Sequence, residues 1–173
     1  MKQRIPMACI RGAAVRLMLA LMLGLLVVSG YVVAPILFAK AGSTSEAGRL
    51  AGEIFHVVNL GVIFMAVAVA AFWLRMRPIS RMKWGLLLVL GSLVALNEYG
   101  ISPIIHELKL AIGPIDQLAD NDPHRAEFGM WHGVSAVIHL LASITATMLL
   151  LVGVHQHSHQ GSDCSSKESC KES

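Results

Sequence analysis

The stretch Trp84 to Ile105 reads WGLLLVLGSLVALNEYGISPII and carries no charged residue before Glu98. It matches the ~20 residues that a helix needs to cross ~30 Å of hydrocarbon. Three further runs have the same character: Leu17 to Phe38, Phe55 to Leu74 and Met130 to Val154. Lipid offers the backbone no hydrogen-bond partner, so such runs satisfy their amides internally, as helices. The expected fold is all-α, a polytopic membrane protein with four transmembrane helices in an antiparallel bundle. The membrane domain spans residues 17–154, between a basic segment 1–16 and a polar, disordered tail 155–173.

Composition excludes a soluble globular domain: 55% of the 173 residues are hydrophobic and 14% charged. The net charge of +3 does not point to nucleic acid, because the basic residues are sorted along the chain. Lys2, Arg4, Arg11 and Arg16 precede the first span, and Arg75, Arg77, Arg81 and Lys83 fill the second connection, neither with an acidic residue. The first and third connections mix both signs. By the positive-inside rule, both termini and the Arg75 to Lys83 connection face the cytoplasm, in a cell membrane that is the inner one if the source is bacterial.

Ala39, Lys40 and Ala41 form an A-x-A cleavage pattern, which opens the alternative of a secretory signal. The apolar run from Leu17 is longer than the 7–15 residues of a signal core, which favours a retained first span. Cys9, Cys164 and Cys170 all fall on the cytoplasmic side in this topology and are expected as reduced thiols.

Small residues at four-residue spacing mark candidate helix contacts: Gly30 with Ala34, Gly48 with Gly52, Gly91 with Ala95, and Gly129 with Gly133. Ser43 and Glu46 match a capping box, so the helix of the second span is expected to begin there. Pro35 and Pro103, near the outer ends of spans one and three, are expected to kink or end those helices. The third connection, of roughly 25 residues with Gly113, Pro114 and Pro123, reads as a partly ordered outer cap.

The polar residues inside the spans carry the functional question, because each is expensive in hydrocarbon without a partner or water. Span two has His56 and Asn59, with Glu53 one turn earlier on the same face; span three has Asn97 and Glu98; span four has His132, Ser135 and His139. Counted from the outer ends, His56 and His132 fall near the interface, with His139 and Glu98 roughly 10 Å deeper. One reading joins Glu98, His139, His132 and His56 in a polar site that binds a cation, relays protons or ligates haem. The other has these groups bond to one another and to carbonyls, fixing helix register. Haem is disfavoured, because only His56 and His132 match in depth and no cytochrome pattern accompanies them. In the tail, His155, His157, His159, Cys164 and Cys170 make a weak candidate for a labile transition-metal site.

Across Leu17 to Val154 the chain resembles the transmembrane protein 205-like family, also called domain of unknown function 4149. The shared pattern is Ala34-Pro35 with Phe38 closing span one, Ala47-Gly48 and Phe55 leading into span two, Asn97 and Pro103 in span three, and Phe128, His132-Gly133 and Ser135 opening span four. The resemblance implies a four-helix membrane protein and supplies no reaction or catalytic residue. His56 and His139 stand where that family often has proline and asparagine, and each adds a titratable imidazole.

These observations favour a non-enzymatic membrane protein that handles a small cation or solute, a role that calls for a homo-oligomer since four spans enclose little water. The alternative is a structural or assembly partner docked on another membrane protein. No nucleophile elbow, phosphate-binding glycine loop or HExxH spacing supports an enzyme.

Overall fold

A computed structural model describes residues 7–75, 79–119 and 121–155, and among these every α-helical or 3-10 element belongs to one helical bundle. The helices are α1 (Met7–Val27), α2 (Ala34–Lys40), α3 (Thr44–Arg75), α4 (Arg81–Leu96), α5 (Ser102–Ile112) and α6 (Pro123–His155). α1 runs into α2 through a widened turn at Val28–Val33, and α4 into α5 through another at Asn97–Ile101. The chain thus has four helices long and apolar enough to cross a membrane. Each of the four apolar runs lies within one of these rods. Consecutive rods are neighbours, and the fourth also packs on the first, closing a ring.

The core arises from 3–4 residue spacing on each rod. Val15, Leu19, Met22 and Leu26 face inward from α1; Val58, Val62, Ala66, Val69 and Trp73 from α3; Leu87, Leu90 and Val94 from α4; Ala142, Ala146 and Leu149 from α6. Trp73 and Trp84 meet edge to face at 5.6 Å near the α3–α4 connection, which we call the basic face. Toward the opposite, distal face, the buried stripe turns polar in all four rods: Ser29, Asn59, Asn97 with Glu98, and His139. Large apolar side chains such as Phe64, Leu88 and Leu151 point outward, as expected of surfaces solvated by lipid.

The two prolines do not end their rods. A proline lacks an N–H and its ring collides with the carbonyl four residues back. Here the helix relieves the collision by widening one turn: Ala34 N–H donates to Ser29 O and Ser102 N–H donates to Asn97 O, five residues back in each case. The equivalence is positional, since each of these bonds ends one residue before its proline. The sequence signal for it is the repeated spacing Tyr31 to Pro35 and Tyr99 to Pro103.

The distal connections are shorter than the apolar runs suggest, because α5 and α6 extend past the spans and leave only residues 113–122 between them. Gly113, at φ 69°, ends α5 with its N–H on Lys109 O at 3.1 Å. Asp122 caps α6 through the His124 N–H at 2.9 Å, with Pro123 in the first turn. Ser43 Oγ accepts from the Glu46 N–H at 3.1 Å, so the cap expected at Ser43 does start α3. A second cap comes from far along the chain: the Asp116 carboxylate accepts from the N–H groups of Thr44 (3.1 Å) and Ser45 (2.9 Å).

These bonds, the Ser45 N–H first, hold the Asp116 carboxyl down to about 2 from its ordinary 3.8. A depressed carboxyl contributes stability that is complete above its unfolded value and is lost as pH falls through the folded one. The Thr44 and Ser45 amide resonances in micelles should therefore titrate with a midpoint near 2 rather than 3.8. Asp116→Ala should abolish that titration and speed hydrogen exchange in the first turn of α3; unchanged exchange would show that Asp116 is no cap.

Candidate functional site

Glu98 is the central group of the polar layer. Its side chain is 5% exposed, and Nδ1 of His56 contacts Oε1. Asn59 Nδ2 donates to Oε2 at 2.9 Å. His56 and Asn59 lie one turn apart on α3, so one helix face grips both carboxylate oxygens. His56 remains 54% exposed, so the ring bridges the outside of the bundle and a buried acid. One proton lies between Nδ1 and Oε1, on either partner, because an imidazole nitrogen and a carboxylate cannot meet at hydrogen-bond range without it.

The contact corrects the depth expected from the sequence, which set Glu98 roughly 10 Å below His56. The ends of apolar runs are not the ends of helices. α3 begins at Thr44 and α5 continues to Ile112, so both residues lie at a similar distance, about 20 Å, from the distal ends of their rods.

The widened turn explains how the adjacent residues Asn97 and Glu98 are both buried. Glu98 faces α3, while Asn97 faces α6 and its Oδ1 accepts from Ser135 Oγ at 2.8 Å. Ser135→Ala should leave that oxygen without its donor and destabilise the protein by about 0.6–1.7 kcal/mol, the range for interhelical bonds in lipid. Unfolding of the variant in mixed micelles measures this, and no change would mean that water replaces the hydroxyl.

His139 belongs to a different contact. Its Nε2 lies 2.9 Å from Leu26 O, and since a carbonyl only accepts, Nε2 carries the proton. The ring lies on Gly30, where a Cβ would stand 2.5 Å from Nε2. Phe55 meets it edge-on at 5.1 Å. Gly30 precedes Pro35 by the interval at which Glu98 precedes Pro103, so His139 on Gly30 mirrors His56 on Glu98 across the ring. His132 is held elsewhere, between the Phe128 ring (6.1 Å, stacked) and Phe38 (6.2 Å, edge-on).

The group of Glu98, His139, His132 and His56 is therefore resolved into three contacts: Glu98 with His56, His139 with the Leu26 carbonyl and Gly30, and His132 with Phe128 and Phe38. Among the described residues no group of three His, Cys, Asp or Glu side chains is placed to hold a metal ion. Of the tail candidates, the His155 side chain and His157, His159, Cys164 and Cys170 lie outside the described residues. The family-pattern residues Phe55, Asn97, Phe128, His132 and Ser135 all make contacts in this layer or just distal to it.

Of the glycines in the small-residue pairs, Gly30 alone lies tight against another helix. A Cβ on Gly52, Gly91, Gly129 or Gly133 would meet nothing within 4 Å, and one on Gly48 would meet only Lys109 Nζ at 3.8 Å. That lysine, absent from the sequence-based site, donates to Gly48 O at 3.0 Å and lies 5.8 Å above the Phe128 ring. It ties α5 to α3 and α6 at the distal end.

Residues 17–113 match the family model described as Domain of unknown function (DUF4149). The chain belongs to this DUF4149 family. The matched region contains the Glu98, His56 and Asn59 cluster and both widened turns. It stops short of α6, which supplies Ser135 and His139. No curated protein and no solved structure matches the chain.

Proposed function

We propose that this protein is a non-enzymatic membrane protein that handles a small cation, the proton, at Glu98. The observation that carries this reading is a carboxylate buried in a membrane-crossing helix and joined to an imidazole that is itself half exposed. A lone charge at that depth is expensive, which makes an intramembrane acid a functional candidate by default. When Nε2 of His56 also carries a proton, the shared proton leaves the pair neutral on either atom, and gaining or losing one proton changes its charge inside the membrane. In reconstituted protein, an infrared band of the protonated Glu98 carboxyl should rise and fall with pH and be missing in Glu98→Gln. A carboxyl band unaffected by pH would remove the proton reading.

The distribution of Lys and Arg supports a cytoplasmic basic face in a cell membrane, bacterial inner membrane included, with both termini inside. The Ala34-Pro35, Asn97 and His132-Gly133 pattern supports the transmembrane protein 205-like naming of this family. The second reading, a structural or assembly partner, draws on two observations. Both Glu98 oxygens and Asn97 Oδ1 are partnered, as a register device requires. Gly129 and Gly133 also sit on an open outer face of α6, where another helix, from a second copy or another membrane protein, has room to approach. Gly133→Leu should shift the oligomeric state in mild detergent if that face is used.

A further inference from the structure

Glu98 lies in a bundle whose two halves differ in kind. Toward the basic face its own rod continues as Val94 and Leu90, and the facing interior is Met22, Leu26, Val62 and Leu149, five of these six fully buried. Among the described residues the one buried polar side chain in that half is Ser143, which donates its hydroxyl to the His139 carbonyl at 2.9 Å. Toward the distal face, α3 carries Arg49, Glu53 and His56 at i, i+4 and i+7, one side of one helix, and all three are exposed. Gly52 lies in the same strip, and a side chain there would meet nothing within 4 Å. A helical side chain leans toward the N-terminus of its helix, so the His56 ring leans over the turn of Gly52 and Glu53, toward the distal face.

Resting on the reading of Glu98 as a proton site, we infer that its protons arrive and leave by one route only: from the distal aqueous surface, down the outside of α3, past Glu53 to His56 and then to Glu98. The ring takes up a proton at Nε2 and passes the one on Nδ1 to Oε1, the contact already made, and release runs in reverse. The route is lateral rather than central, and the apolar half of the core closes the site to the basic face. The other titratable groups near this layer are engaged elsewhere. His139 donates to Leu26 O, His132 lies between two phenylalanine rings, and Tyr31 of the opposite rod lies against His139 at 6.2 Å.

Two carbodiimides test this on the full-length protein in lipid nanodiscs, with modification of Glu98 read by peptide mass spectrometry. Dicyclohexylcarbodiimide reaches a protonated carboxyl through lipid, whereas the water-soluble EDC must follow water. Both should label Glu98 in the wild type, faster as pH falls. Gly52→Leu fills open space beside the strip, so it folds, and it should slow EDC by roughly tenfold, the equivalent of about 1.4 kcal/mol on the barrier. It should leave the lipid-soluble reagent unaffected, and Gly129→Leu, on the outer face of α6, should change neither rate. An EDC rate untouched by Gly52→Leu, or labelling by the lipid-soluble reagent alone, would overturn the route and leave Glu98 a proton site. No labelling by either reagent at any pH would overturn the route together with the proton reading.

Discussion

Gly30→Ala is expected to destabilise the bundle by about 2–4 kcal/mol, the sum of overpacking a tight contact and losing a buried hydrogen bond. The added methyl would stand 2.5 Å from His139 Nε2 and 2.7 Å from Cδ2, closer than real Cβ contacts come. The ring has no easy retreat: Phe55 lies edge-on at 5.1 Å and the Leu26 carbonyl holds Nε2. Relief requires giving up the Leu26 bond or separating the first and fourth rods. Reversible unfolding in mixed micelles measures the loss. If the collision is the cause, adding His139→Ala to Gly30→Ala should cost less than the sum of the two single changes, by an amount within the 0.5–3 kcal/mol seen for residues in contact. Strict additivity would show that Gly30 matters for the helix itself and not for its neighbour.

Glu98→Ala should be similarly damaging, by about 2–4 kcal/mol, since it opens a cavity and leaves the buried Asn59 amide without its acceptor. Glu98→Gln separates the two roles of this residue. Its carbonyl can still accept from Asn59 and its amide can donate to a neutral His56, so stability should fall by no more than about 1 kcal/mol. A Gln variant as unstable as the Ala variant would mean that the bundle needs the charge of Glu98, which would favour the register role over the proton role.

Much of the fold was legible because lipid simplifies the rules. An apolar run long enough to cross hydrocarbon must be helical, whatever it packs against. The cap at Ser43 was equally plain, because it depends on residues three apart. The candidate polar residues were also visible as costly exceptions in apolar runs. Their grouping was not. His56 and Glu98 looked mismatched in depth because apolar runs mark where a helix meets hydrocarbon, not where it starts. His132 and His139 looked like partners in one site because they share a helix face, yet one lies among phenylalanines and the other on Gly30.

The sequence by itself determined the four helices, their membrane character and the list of residues able to carry charge there, since these depend on run length and the free energy of burying single groups. Only the tertiary structure decided which of those groups meet. Asn97 and Glu98 open the widened turn ahead of Pro103 and face different helices, and Gly30, in the turn ahead of Pro35, lies under His139 beside the Leu26 carbonyl. Such a pairing depends on the relative rotation and height of separate rods, which are set by packing between them and not by spacing along any one.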